Sequence, residues 1–159
     1  MKSIFTFENL LHLLKELIWW LLTAMVTYAV LYPVTSKLDF TYWKENAAFI
    51  FVALTYFRWS ISLKSLPFLR PAWARFVLFT LNFVLFFYLM SKEQMFVLKL
   101  DNFYMEDLGF PKVILYEDVK MELFRYLRME LLLSGTGSLA MIIALQLRLI
   151  ISYWQFYKH

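Results

Sequence analysis

The chain has no cysteine and only three glycines and four prolines among its 159 residues. Without cysteine it can form no disulfide, thiolate nucleophile, cysteine-ligated metal site or iron–sulfur cluster. So few glycines and prolines also exclude long flexible linkers. We therefore expect a single domain.

Charge is scarce as well, because charged residues make up 18% of the chain while hydrophobic residues make up 62% and aromatic residues 21%. A soluble domain averages about 45–50% apolar residues. The apolar excess lies in long runs, which is typical of membrane-spanning segments. A net charge of only +4 argues against a nucleic-acid-binding protein, which would need a dense basic face.

Four apolar segments are long enough to cross a hydrocarbon core of about 30 Å. The last contains the uncharged stretch from Leu131 to Leu147, which follows Glu130. Residues 1–16 have helical apolar spacing and predict an amphipathic lead-in at the interface. The predicted spans are residues 17–34, 47–63, 72–91 and 131–152.

Segment 92–128 is the sizeable extramembrane part of this arrangement. Its first part, Lys92 to Asn102, partly alternates in polarity and predicts either a short strand or an interfacial helix, so the structure of residues 92–110 stays open. From Lys112 the apolar spacing is helical. Because no breaker precedes the fourth span, we predict one helix from Pro111 to Tyr157. The expected fold is an all-α membrane protein, a four-transmembrane-helix bundle whose fourth span continues a long amphipathic helical arm.

Four spans place both termini on one side of the membrane. Lysine and arginine are divided evenly between the sides, but loop 64–75 is short and carries bases without any acid. The positive-inside rule therefore predicts that both termini are cytoplasmic. The Phe-, Tyr- and Lys-rich composition without cysteine suggests a bacterial inner membrane.

Helices of alternating direction bring four charged residues near one membrane face: Glu16, Arg58, Arg75 and Arg148. An arginine at the centre of a span costs about 2.5–3.5 kcal/mol, and less near its end. In one interpretation each arginine extends to the interface and Glu16 forms a single salt bridge. In the other, unpaired guanidinium groups of Arg58 and Arg148 hold an anion, either a lipid phosphate or a carboxylate of a partner subunit.

Other polar or small residues predict helix packing. Asn82 lies in the middle of a span, where an amide usually bonds to a neighbouring helix. Small residues in the last span permit close approach of another backbone, for internal packing, for a partner or as a hinge. These small residues include Ser134, Gly135, Gly137 and Ser138.

No recognisable catalytic or cofactor motif occurs, whether HExxH, GxSxG, P-loop or GxGxxG. His12 and His159 both lie outside the spans, so they cannot form an intramembrane bis-histidine haem site. We expect no cofactor and no metal, and the sequence leans against an enzyme.

Three functional classes remain. The first is a non-catalytic subunit or scaffold that docks partner proteins through its spans and segment 92–128; its partners would be other membrane subunits, a second copy, or lipids, including anionic ones. The second is a small four-span transporter or channel, although the chain differs from four-span drug exporters because Glu16 is interfacial and its spans are poor in glycine. The third is a lipid-modifying membrane enzyme with acids near the headgroups.

Overall fold

The computed structural model describes residues 7–63, 71–101, 109–111 and 116–157. Within these residues the chain is nearly all helical, as expected. The start of the predicted lead-in, most of loop 64–75 and residues 102–108 lie outside the described residues. The elements in chain order are α1 (Phe7–Thr35), β1 (Leu38–Phe40), α2 (Trp43–Ser62), α3 (Ala72–Asp101), β2 (Gly109–Pro111) and α4 (Glu117–Tyr157).

The two strands form a small antiparallel sheet in which Leu38 lies opposite Pro111 and Phe40 opposite Gly109. Leu38 and Phe40 are buried whereas Asp39 is exposed, which is the two-residue alternation of a half-buried strand. The predicted start of the last helix at Pro111 is therefore wrong. The backbone there is extended and pairs with β1, and α4 begins at Glu117.

The third predicted span and the ambiguous stretch after it form one helix, α3, of 30 residues. Leu89 and Phe96, seven residues apart, are both almost fully buried. This spacing places them on one helical face. Of the two alternatives for the stretch beginning at Lys92, the helix is thus the correct one as far as Asp101.

Among the described residues, three helical segments are long and apolar enough to cross a membrane. They correspond to the first, third and fourth predicted spans. The second, α2, does not qualify, because its 20 residues include Lys44, Glu45, Asn46 and Arg58. The three segments are Leu13–Thr35, Ala72–Lys99 and Asp118–Trp154.

The core lies where α2 packs between α1 and α4 and where α3 packs on α4. Phe49 of α2 meets Phe96 of α3 edge to face, with ring centroids 5.9 Å apart. The outer surface is apolar too: Met25, Trp73 and Val84 are 67–70% exposed. Apolar side chains on the outside of a bundle with buried polar residues fit a hydrocarbon surrounding, where exposure of apolar surface carries no penalty.

Candidate functional site

Glu16 of α1 and Arg58 of α2 form a two-pronged ion pair. Nη1 of Arg58 donates to Oε2 of Glu16 at 2.8 Å, and Nη2 donates to Oε1. The guanidinium carbon also lies 5.3 Å from the centre of the Trp19 ring. Both charged side chains are at most 17% exposed. Arg58 is therefore neutralised within the chain, so it cannot serve as the unpaired guanidinium of the anion-site hypothesis.

The other two members of that predicted group lie apart from the pair. Arg75, near the start of α3, donates from Nη1 to Oγ of Ser152 at 3.1 Å and so links α3 to the end of α4. It borders a groove of about 280 Å³ whose lining includes Phe79, Leu149 and Trp154. Arg148 is exposed and forms no ion pair with a described residue.

Asn82 lies at the centre of a buried polar chain that joins three helices. It accepts a hydrogen bond from the Tyr56 hydroxyl at 2.9 Å and donates to Oε1 of Gln146 at 3.1 Å. Gln146 in turn donates to the backbone oxygen of Phe79 at 2.9 Å. Asn82 is fully buried. Because each amide both accepts and donates, the network fixes the depth at which α2, α3 and α4 meet.

A second buried polar group, here called the Glu130 cluster, consists of Asn46, Glu130 and Ser134. Nδ2 of Asn46 donates to Oε2 of Glu130, and the Ser134 hydroxyl donates to Oδ1 of Asn46 at 3.3 Å. Asn46 is fully buried, and Glu130 is 9% exposed. The other carboxyl oxygen, Oε1, is buried without a hydrogen-bond partner among the described residues.

Sequence reasoning missed this cluster, because Glu130 reads as the charge that ends a span and Asn46 as the last residue of a loop. A signal was present on α4. Glu130, Ser134 and Ser138 follow one another at intervals of four residues, which places them on one helical face. Ser138 is fully buried, so that face points into the bundle.

The small residues of α4 divide between the inside and the outside of the bundle. Gly135 packs against α3, since a β-carbon there would lie 2.9 Å from Oε1 of Glu93. Ser138 is buried and donates to the backbone oxygen of Gly135 at 2.7 Å. A β-carbon on Gly137 would meet nothing within 4 Å. Gly135 and Ser138 therefore pack internally, while Gly137 faces open space. The helix is continuous through this stretch.

A groove of about 710 Å³ runs between α1 and α2. Its walls are mainly apolar, with Leu31, Ala48 and Phe51 among them, and Asp39 and Lys44 also line it. Such a lining suits an acyl chain or another helix. The described residues contain no group of three or more side chains able to ligate a metal.

Comparison with known proteins gave no match, neither among protein-family models nor among curated proteins or solved structures.

Proposed function

We propose that the chain is a non-catalytic subunit or scaffold of a larger membrane assembly, with docking surfaces on its spans and on segment 92–128. The observation that carries this proposal is the length of α4. Its 41 residues extend about 62 Å at 1.5 Å per residue. The hydrocarbon core is only about 30 Å thick, so one rigid helix can contact partners both in the membrane and in water.

The outer face of α4 supports a docking role. In the part before the predicted span, Met121 is 54% exposed and Met129 66% exposed. Within the span, Leu133 is 77% exposed. Large apolar side chains at a water-exposed end of a helix mark a protein-contact surface, because lipid does not cover them.

At mid-span the same face of α4 carries small residues. Thr136 and Ala140 are exposed one turn apart, and Gly137 between them has open space beside it. Small residues let a second helix come close enough for backbone packing, which drives association in lipid where the hydrophobic effect does not. The proposed partner element is therefore a membrane helix of another subunit or a second copy.

The inner face of the arm is held by the chain itself. Leu123, Phe124 and Leu127 belong to the same buried core as Leu38 and Phe40 of the small sheet. This packing favours rigid presentation of the outer face rather than a free lever, since bending α4 there would expose buried apolar surface.

We also propose that α2 crosses the membrane, in addition to the three segments that are long and apolar enough to do so. Its 20 residues rise about 30 Å, and its Arg58 is neutralised by Glu16. Such pairing lowers the penalty for an arginine in a span. Four crossings and the basic loop 64–75 favour a protein of a bacterial inner membrane with both termini cytoplasmic. Arg75 and Arg148 would then lie near the cytoplasmic headgroups, where anionic lipids are their partners.

The test is affinity purification of the full chain in mild detergent, followed by mass spectrometry, with two matched variants. Ala140→Leu fills the outer face of α4. Ala29→Leu makes the same change at an exposed position of α1. We expect other membrane proteins, or a second copy, to co-purify with the wild type and the Ala29→Leu variant and to be lost from Ala140→Leu.

If the same proteins co-purify in equal amounts with both variants, α4 is not the docking element. A chain that purifies alone and moves solutes across liposome membranes would contradict the scaffold proposal and favour a small transporter. Turnover of a lipid substrate by the isolated chain would instead favour the membrane enzyme.

A further inference from the structure

The Glu130 cluster contains a carboxyl group that partner docking does not require. Only 9% of the Glu130 surface is exposed, so the residue is more than nine-tenths buried. No described residue forms an ion pair with it. Its Oε1 is out of reach of solvent and has no hydrogen-bond partner in the part of the chain that the structure describes.

An ionised carboxylate is poorly tolerated in such a place. Removing a charge from water is costly unless a counter-charge or several donors replace the water. The donors beside Glu130 are the Asn46 amide and the Ser134 hydroxyl, both uncharged, and they leave one carboxyl oxygen without a partner among the described residues. A carboxyl group in these surroundings takes up a proton in preference to remaining charged and unpaired.

The hydrogen bonds indicate which oxygen carries that proton. Asn46 donates to Oε2, so Oε2 acts as an acceptor. The oxygen of the Asn46 amide accepts from the Ser134 hydroxyl at 3.3 Å. Oε1, which receives no donor from a described residue, is left as the protonated oxygen.

We propose that Glu130 is a proton-binding site inside the helix bundle, with an exchangeable proton on Oε1. A metal cation is a poor occupant, because hard cations such as Ca²⁺ take six or more oxygen ligands. Here the cluster offers the two Glu130 oxygens, and the Asn46 oxygen already accepts from Ser134. This inference goes beyond the proposed docking function and does not depend on it.

Charged and titratable groups on the surrounding elements set the conditions for proton exchange. Glu93 of α3 lies against Gly135, and the neighbouring Lys92 pairs with Glu45 of α2 at 3.9 Å. α1 carries no charge from Leu17 to Thr35. Other charged or titratable groups on these elements are Lys44 in α2, Asp39 in β1 and, on α4, Glu122, Arg125, Tyr126 and Arg128.

A hydrophobic carbodiimide tests the proposal on the full chain in detergent or lipid. The acid O–H adds across one C=N bond of the reagent, and the acyl group then moves from oxygen to nitrogen to give a stable acylurea with no atom lost. Only the protonated acid starts this addition. We expect peptide mass spectrometry to find the adduct on Glu130, with loss of the adduct in Glu130→Gln and as the external pH is raised.

Glu122→Gln is the control, since Glu122 is exposed on the same helix and its loss should leave the Glu130 adduct unchanged. The labelling of the wild type is decisive even if Glu130→Gln fails to fold, because the adduct is assigned to a residue. An infrared spectrum showing the carbonyl band of a protonated acid in the wild type gives a second measurement. Absence of an adduct on Glu130, or modification that does not fall with rising pH, would overturn the proposal.

Discussion

The carboxyl group of Glu93 on α3 lies where a β-carbon of residue 135 on α4 would need space. An ideal β-carbon on Gly135 would come within 2.9 Å of Oε1 and 3.1 Å of Cγ of Glu93. Gly135 therefore allows a long polar side chain to fold against the backbone of α4. Two residues further on, Gly137 has no such neighbour.

The two glycines should respond differently to the same change. Gly137→Ala should stabilise the fold by about 0.5–1 kcal/mol, the usual difference between glycine and alanine in a helix. Gly135→Ala should be less stable than Gly137→Ala by about 1 kcal/mol, because the Glu93 side chain must move out of a packed site. Denaturant unfolding in detergent measures both. Adding Glu93→Ala to Gly135→Ala should recover the difference, and equal stability of the two single variants would contradict the contact.

Glu16 should stabilise the fold mainly by neutralising the buried charge of Arg58, and less by the net attraction between the two side chains. Glu16→Gln should cost about 1–3 kcal/mol, since it leaves a largely buried guanidinium without a counter-charge. Adding Arg58→Met should recover part of that loss because the unpaired charge is removed. Lys15→Gln, at an exposed neighbouring position, is the control and should have little effect. The measurement is thermal unfolding in lipid or detergent; a Glu16→Gln variant as stable as Lys15→Gln would rule out the pair.

The network around Asn82 should contribute modestly per hydrogen bond. Tyr56→Phe removes only the hydroxyl that donates to Asn82. Its loss should cost about 0.6 kcal/mol, the average for interhelical hydrogen bonds in membranes. Asn82→Leu also breaks the bond to Gln146 and should cost more. Tyr88→Phe, at an exposed tyrosine, should be neutral in the same unfolding assay. A neutral Asn82→Leu would mean that the three helices are positioned by apolar packing alone.

The proposed crossing of α2 can be read directly, because the absence of cysteine allows single-cysteine labelling without background. Ser36→Cys and Met121→Cys should react with a membrane-impermeant maleimide from one side of the membrane. Pro71→Cys, beyond the far end of α2, should react only from the other side. All three positions are exposed. Labelling of Pro71→Cys from the same side as Ser36→Cys would show that α2 does not cross.

Composition alone accounts for the class of this protein, a nearly all-helical chain suited to hydrocarbon, because long apolar runs have few alternatives to helix when no water is present to satisfy the backbone. The same reasoning located the end of α1, the start of α3 and the end of α4 to within a few residues, whereas the other ends of these helices differ by six to ten residues. It also placed Asn82 at mid-span, where the structure finds it bonded to two neighbouring helices.

Element ends and pairings depended on contacts between distant parts of the chain. Pro111 is followed by a helical pattern, yet its backbone pairs with β1 more than seventy positions earlier in the sequence, which no local signal encodes. Likewise Glu130 looks like an interfacial charge until α2 places Asn46 beside it. Helix rotation and register decide which polar side chains meet, and both follow from packing summed over whole helices rather than from any one residue.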